Sequence, residues 1–317
     1  MARADDPVVE APPGPDAVAS YARGVRLVLT ATLFWSLAGL VIRLMEEAVG
    51  WQIIFWRGLS LGFTVLTLLA IQHRGRLWSL VRNAGWPAFW AGFFSSTAGM
   101  FYVMALGEIT VANALLMTAM SPFVAALVAR LTMGEPVART TLIAMSIAAV
   151  GITIMVQGAV ARGLLLGNLL AFGSAVSFGL FGVMLRRGRR NDMMPAVLAA
   201  ASITTVVAGW ALLVQGMLQA APLDRFDLPW RDLLLCVFLG AVQQGVGTTS
   251  FTKGSRFIPA AHLQLFAMTE LILAPLWTWL FVAEVPASTT LLGGSIVVLA
   301  LLVQARAGLR PARPGGS

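Results

Sequence analysis

IPAAHLQLFAMTELILAPLWTWLFVAEVP, residues 258–286, decides how this chain is read. At about 1.5 Å of rise per residue, such an apolar run crosses a hydrocarbon core of about 30 Å. It nevertheless carries one carboxylate, Glu270, near its middle, with Pro275 just beyond and an acidic stop at Glu284. A weaker copy, ITVANALLMTAMSPFVAALVARLTMGEPV, occupies residues 109–137, 149 residues earlier. The copies share Ile109/Ile258, Ala112/Ala261, Leu116/Leu265, Ala125/Ala274, Leu127/Leu276, Leu131/Leu280 and Glu135/Glu284. These are mostly common apolar residues. The shared plan of polar entry, internal proline and closing glutamate carries more weight, and predicts one five-helix unit written twice.

Length alone would suggest two domains for 317 residues. Composition overrules it, with 58% hydrophobic and 11% charged residues and a mean hydropathy of +0.82, where soluble domains carry about 25% charge. This is the composition of a polytopic membrane protein. The net charge of +8 does not imply a nucleic-acid partner, because the arginines sit in short breaks between apolar runs. Cys236, the single cysteine, excludes an intramolecular disulfide and any cysteine-based metal site. His73 and His262 are too few and too separated for a two-histidine zinc motif. No metal and no cofactor is therefore expected.

Ten apolar segments are expected, at about 26–45, 51–71, 84–106, 109–133, 139–157, 164–185, 193–215, 231–252, 258–282 and 287–305. They group into a disordered cytoplasmic tail (1–24), a first repeat (25–158), a second repeat (163–306) and a C-terminal tail (307–317). Residues 1–22 are rich in Pro, Ala and acid and lack an apolar core, so no cleavable signal peptide is expected there. With the N-terminus cytoplasmic, seventeen Lys and Arg fall in inside segments and four (Arg43, Arg162, Arg225, Arg231) outside, leaving Arg57 within segment 2. That bias follows the positive-inside rule and places both ends inside. Five segments per half then give the halves opposite orientations, the arrangement of inverted-repeat secondary transporters.

Glu270 leads the candidates for solute contact. A charge at bilayer depth costs at least about 2.5–3.5 kcal/mol, so it must face protein or water, carry a proton, or simply tie neighbouring helices together. Pro122 and Pro275 each remove a backbone donor within a segment, which favours kinks and makes them candidate gating bends. Gln243 and Gln244 form a polar run in segment 8, and Ser95, Ser96 and Thr97 stand near the same depth in segment 3. Together they would make a wet central layer or, more plainly, interhelical hydrogen bonds. Arg57, six residues into segment 2, either snorkels outward or binds a solute carboxylate. Arg43 with Glu46 and Glu47 has the spacing of a local ion cluster. His262 and Asn113 occupy equivalent positions near the inner ends of segments 9 and 4, and Trp35 and Tyr102 are further candidate cavity liners. Gly58-x-x-x-Gly62 and Gly163-x-x-x-Gly167 permit close helix contact.

Two five-helix halves, WSLAGLVIR (35–43) at the opening of the first, and the ends SPFVAALVARLTMGEPV (121–137) and TELILAPLWTWLFVAEVP (269–286) together resemble the EamA branch of the drug/metabolite transporter superfamily. The resemblance spans about residues 25–306. It implies an all-α fold of ten transmembrane helices as two inverted repeats in the bacterial inner membrane, with helices 1, 3, 4, 6, 8 and 9 around a central cavity. It also implies export or exchange of small metabolites, often amino acids. The second half opens SAVSFGLFG without the Trp-Ser of the first, so the cavity need not be symmetric. The expected function is an exporter of amino acids or related metabolites, with proton coupling open. Metabolite uptake and cationic drug export are alternatives within the fold. A non-transporting receptor and an intramembrane enzyme, which would have to use His262, lie outside it.

Overall fold

The computed structural model describes residues 15–73, 77–133, 139–160, 163–188, 191–219, 223–257, 266–267 and 269–308. Where apolar side chains face apolar solvent, backbone polar groups must be satisfied within each segment, and helices do this. The first repeat comprises α1 (Pro15–Arg43), α2 (Gly50–His73), α3 (Leu77–Leu106), α4 (Val111–Thr118), α5 (Ser121–Met133) and α6 (Arg139–Val160). The second comprises α7 (Leu165–Arg187), α8 (Met194–Leu218), α9 (Trp230–Val237), α10 (Gly245–Gly254), α11 (Glu270–Val282) and α12 (Ser288–Gly308). A π-helical turn, Phe238–Gln244, joins α9 to α10. Among the described residues, seven helical spans are long and apolar enough to cross a membrane, and three apolar helices are shorter, at Leu142–Gln157, Glu270–Val282 and Ser288–Val303.

Several expected boundaries change. The helix that was to follow a tail ending at residue 24 already begins at Pro15, because proline suits a first helical position and the Ala-containing stretch behind it sustains the helix. Segment 3 starts earlier as well, at Leu77, and bends at Gly85 (φ 63°, ψ −162°), a conformation open to glycine, with Pro87 two residues on. Segment 4 is two helices, interrupted at Ala119 and Met120. Pro122 therefore lies in the first turn of α5, where its missing N–H costs nothing, and does not kink a continuous helix. In segment 9 Thr269 is a turn residue and Glu270 is the first residue of α11, so the carboxylate marks a helix start and not the middle of an unbroken helix. Met120 and Thr269 are 149 residues apart, so both copies of the organising stretch break at the same place.

Packing obeys the duplication. α1 packs on α10 and α11, and α7, its counterpart, packs on α3 and α5. α2 packs on α8, and α6 on α12. Exchanging the halves turns this set of neighbours into itself. α1 passes Gly254 at Gly24–Val28 and ends with Arg43 against Leu106 and Ile109. α7 begins at that second end, where Gly167 meets Glu108 and Ile109, and finishes at the first end with Arg187 on the Thr132 carbonyl. The halves therefore run in opposite directions. Large apolar side chains such as Phe63, Trp78, Val206 and Ile272 stand exposed on the outside, as a lipid-facing surface requires.

The α6–α12 crossing is set by two glycines. A Cβ on Gly151 would lie 2.5 Å from the Gly293 carbonyl oxygen, and one on Gly293 would press on the Gly151 carbonyl in return. Close backbone approach through small residues is how helices associate where lipid removes the hydrophobic drive. Gly151→Val is expected to cost about 1–3 kcal/mol by overpacking, read as a lowered melting temperature of the detergent-solubilised protein. An unchanged melting temperature would show that the crossing yields freely.

Candidate functional site

Both repeats contribute to a cavity of about 120 Å³. Trp35 reaches it from α1, Arg57 from α2, Ser95 and Tyr102 from α3, and Leu115 and Thr118 from α4. Ser174, Phe178 and Phe181 come from α7, Gln243 and Gln244 from the π-turn, Thr248 from α10 and Glu270 from α11. Glu270 also borders a second space of about 50 Å³ that runs beside the α4–α5 break, past Ala119, Ser121 and Pro122. Behind Arg57 a third, of about 10 Å³, reaches Ser96, Thr204 and Gln244. All six helices that the resemblance implies contribute, and segment 2 joins them through Arg57.

The irregular backbone explains how these side chains arrive here. A π-turn adds a residue to the helical repeat, and it carries Gln243 and Gln244 together to the cavity wall. Gly240, within that turn, lies so close to α2 that a Cβ there would collide with the Arg57 carbonyl oxygen and the Ser60 hydroxyl. The turn is thereby seated on the α2 residue that bears the cavity's guanidinium. The break before α11 places Glu270 at the positive end of that helix dipole, and Thr269 provides no side-chain cap.

Charge in the cavity is unmatched. Arg57 is 5% exposed, so it does not snorkel, and its guanidinium lies against Gly99, where a Cβ would sit 2.9 Å from Nη2. Among the described residues neither that guanidinium nor the Glu270 carboxylate has a hydrogen-bond or ion-pair partner. The buried Tyr102 hydroxyl and Gln243 Oε1 are likewise without partners, while Gln243 Nε2 donates to the Trp35 carbonyl over 3.3 Å. Buried polar atoms are normally satisfied, and leaving one unmatched costs about 1–3 kcal/mol. Trp35, Phe178, Phe181 and Phe251 pack ring on ring beside them, with Trp35 and Phe251 centroids 4.9 Å apart.

Other candidates fall elsewhere. Ser96 shares a 2.8 Å hydrogen bond with Thr204, and Thr97 donates to the Phe93 carbonyl of its own helix, so only Ser95 of that trio lines the main cavity. Asn113 donates to Asn168 over 2.9 Å and lies one turn from Thr110, at the Arg43 end of the bundle. It is not near the end that holds Lys253 and Arg256, because opposed repeats send equivalent positions to opposite faces. Pro122 borders the second space, whereas Pro275 lies inside α11 and lines neither. His262 lies outside the described residues. Arg43 forms no cluster with Glu46 and Glu47. It pairs with Glu284 over 2.6 Å, and Glu46 pairs with Arg231.

Sequence reasoning missed Asp232. This carboxylate is 1% exposed and accepts the backbone N–H groups of Glu46, Glu47 and Ala48, pinning the α1–α2 connection to α9. An Asp two residues into an apolar segment was the available signal.

The chain matches the profile of the EamA-like transporter family over residues 22–157 and 165–305. Comparison with curated proteins gives no match. A protein known from its crystal structure superposes with a TM-score of 0.64 at 19% identity, covering 92% of this chain and 100% of its own, which is a likeness of fold.

Gly240→Ala is expected to force the π-turn off α2, lowering the melting temperature through a clash worth about 1–3 kcal/mol. Unaltered melting would mean that the turn can slide without consequence.

Proposed function

Because the chain belongs to the EamA-like transporter family, we propose that it is a secondary transporter of the bacterial inner membrane that exports amino acids or related small metabolites by alternating access. One observation carries the solute class. Arg57 and Glu270, opposite in charge and each without a partner among the described residues, line the same cavity of about 120 Å³. A zwitterion answers both charges at once, its carboxylate to the planar fork of Arg57 and its ammonium to Glu270. A solute with only a cationic group would leave a buried guanidinium unmatched, which weighs against cationic drugs.

In this reading ten segments cross the membrane with both termini cytoplasmic, and Gln243, Gln244, Ser95, Tyr102 and Trp35 contact the solute. The interruption before Ser121 lets α4 and α5 move separately, the start of α11 at Glu270 is the corresponding place in the second repeat, and Pro275 assists bending within α11. Discontinuous helices at a central site are a recurring transporter device. Glu270 also offers a place for a coupling proton to exchange with the solute's ammonium.

Counterflow of labelled amino acids into proteoliposomes, with and without a pH gradient, tests the class. Uptake with competition within the panel is expected, and absence of flux for every member would remove amino acids from the reading. Glu270→Gln is expected to lower flux at least ten-fold with folded protein retained in the membrane. Near-normal flux would end its role.

A further inference from the structure

At the Arg43 end of the bundle, four helix termini meet in one set of polar contacts. The Arg43 guanidinium, at the last residue of α1, gives Nε to Glu284 Oε2 over 2.6 Å. Its Nη1 reaches the Leu106 carbonyl at the end of α3 over 2.8 Å, and its Nη2 the Ile109 carbonyl over 2.7 Å. The other Glu284 oxygen accepts the N–H of Val111, the first residue of α4, over 2.6 Å. Both side chains are largely enclosed, at 29% and 14% exposure. Glu284 arrives because Ala283 takes a left-handed conformation (φ 51°, ψ 29°), the only positive φ outside glycine among the described residues. That backbone costs alanine about 1–3 kcal/mol and persists only where surrounding contacts hold it.

These contacts reach the cavity through α4. The helix is eight residues long, its Glu284-bonded end is Val111, and two of its other residues, Leu115 and Thr118, line the cavity. Beyond Thr118 the regular helix is interrupted at Ala119 and Met120, so α4 is a short, largely buried helix, tied to Glu284 at its Val111 end and to α7 through Asn113 and Asn168. α1 and α11, which supply Trp35 and Glu270 to the cavity, carry the two halves of the ion pair at their ends. A second tie, from Trp277 Nε1 to Ser36 Oγ over 3.1 Å, joins the same two helices nearer the cavity.

We infer that Arg43 and Glu284 form a latch that holds α4 across the solute path on the face the arginine bias places outside, and that its release admits the outer solution to the cavity. This goes beyond the transport reading, since it concerns access and not recognition. An ion pair that also satisfies three backbone groups at helix ends is worth more than an exposed pair of about 0–1 kcal/mol, yet can be exchanged for water in one step.

The test uses full-length protein in which Cys236 is replaced by Ser and Leu115 by Cys. Labelling by a membrane-impermeant thiol reagent is timed from each face of sealed vesicles, with no solute needed. With the latch intact, labelling from the Arg43 face is slow. Glu284→Gln, which keeps the acceptor oxygen and removes the charge, is expected to speed it at least ten-fold from that face alone. Arg43→Ala should do the same, and the two together should fall well short of the product of their separate effects, because both break the shared Arg43–Glu284 contact. Arg43→Lys, which retains the charge and loses the fork, should fall between. Rates that do not change, or that rise equally from both faces, would overturn the latch. Because labelling needs no substrate, a failed amino-acid counterflow experiment leaves this result standing, and the reverse also holds.

Discussion

A buried backbone must find its hydrogen bonds within itself, and the architecture follows from where this chain does so by turns other than the regular α-helix. Regular helices meet the constraint along most of every segment. They lapse at Ala119–Met120, at the π-turn Phe238–Gln244 and at Thr269, and residues beside each lapse line the central spaces. Irregular backbone at such depth is tolerable only inside protein or beside water. The broken helices and the central cavity therefore require one another, since the breaks deliver Glu270, Gln243, Gln244 and Thr118 to a shared space inside the protein.

The polar contacts fall into two kinds. Near the ends of the bundle most charged groups are paired: Asp232 holds three backbone N–H groups, Arg43 and Glu284 hold each other and three more, and Arg256 meets Asp192 over 2.8 Å, while the buried Asn113 Oδ1 and Thr252 Oγ1 have no partner among the described residues. At the centre Arg57, Glu270, the Tyr102 hydroxyl and Gln243 Oε1 have no partner among the described residues. A protein stabilised only for its own sake would reverse that distribution, because unmatched groups are dearest where water is scarcest. Two opposite charges without partners among the described residues, facing one cavity, are the physical reason to assign that cavity a ligand.

Much of this was legible in the sequence. Apolar runs gave an all-helical membrane protein, and the 149-residue echo between two stretches gave the duplication. Glu270, Gln243 and Gln244 stood out because polar residues are rare in such runs, and all three line the cavity. The pairing of Arg43 was not legible. Its partner is 241 positions away, while Glu46 and Glu47 offered a closer match by spacing alone. The break before Glu270 was hidden because no glycine or proline adjoins it, and Arg57 could not be placed because snorkelling and burial leave the same mark on a sequence. Asn113 went to the wrong end for a geometric reason, since equivalence along the chain becomes opposition in space once the repeats are opposed.

That opposition gives the register of the two breaks a further meaning. Ser121 and Glu270 open corresponding half-helices, so an ancestor with identical halves would have presented the same side chain twice, once toward each face. Such a molecule has a dyad in the membrane plane and no inherent sense of top and bottom. Here one half-helix starts with a hydroxyl and the other with a carboxylate. A single substitution at one of two equivalent positions is enough to break the dyad, and with it the equivalence of the two aqueous compartments as the solute site meets them.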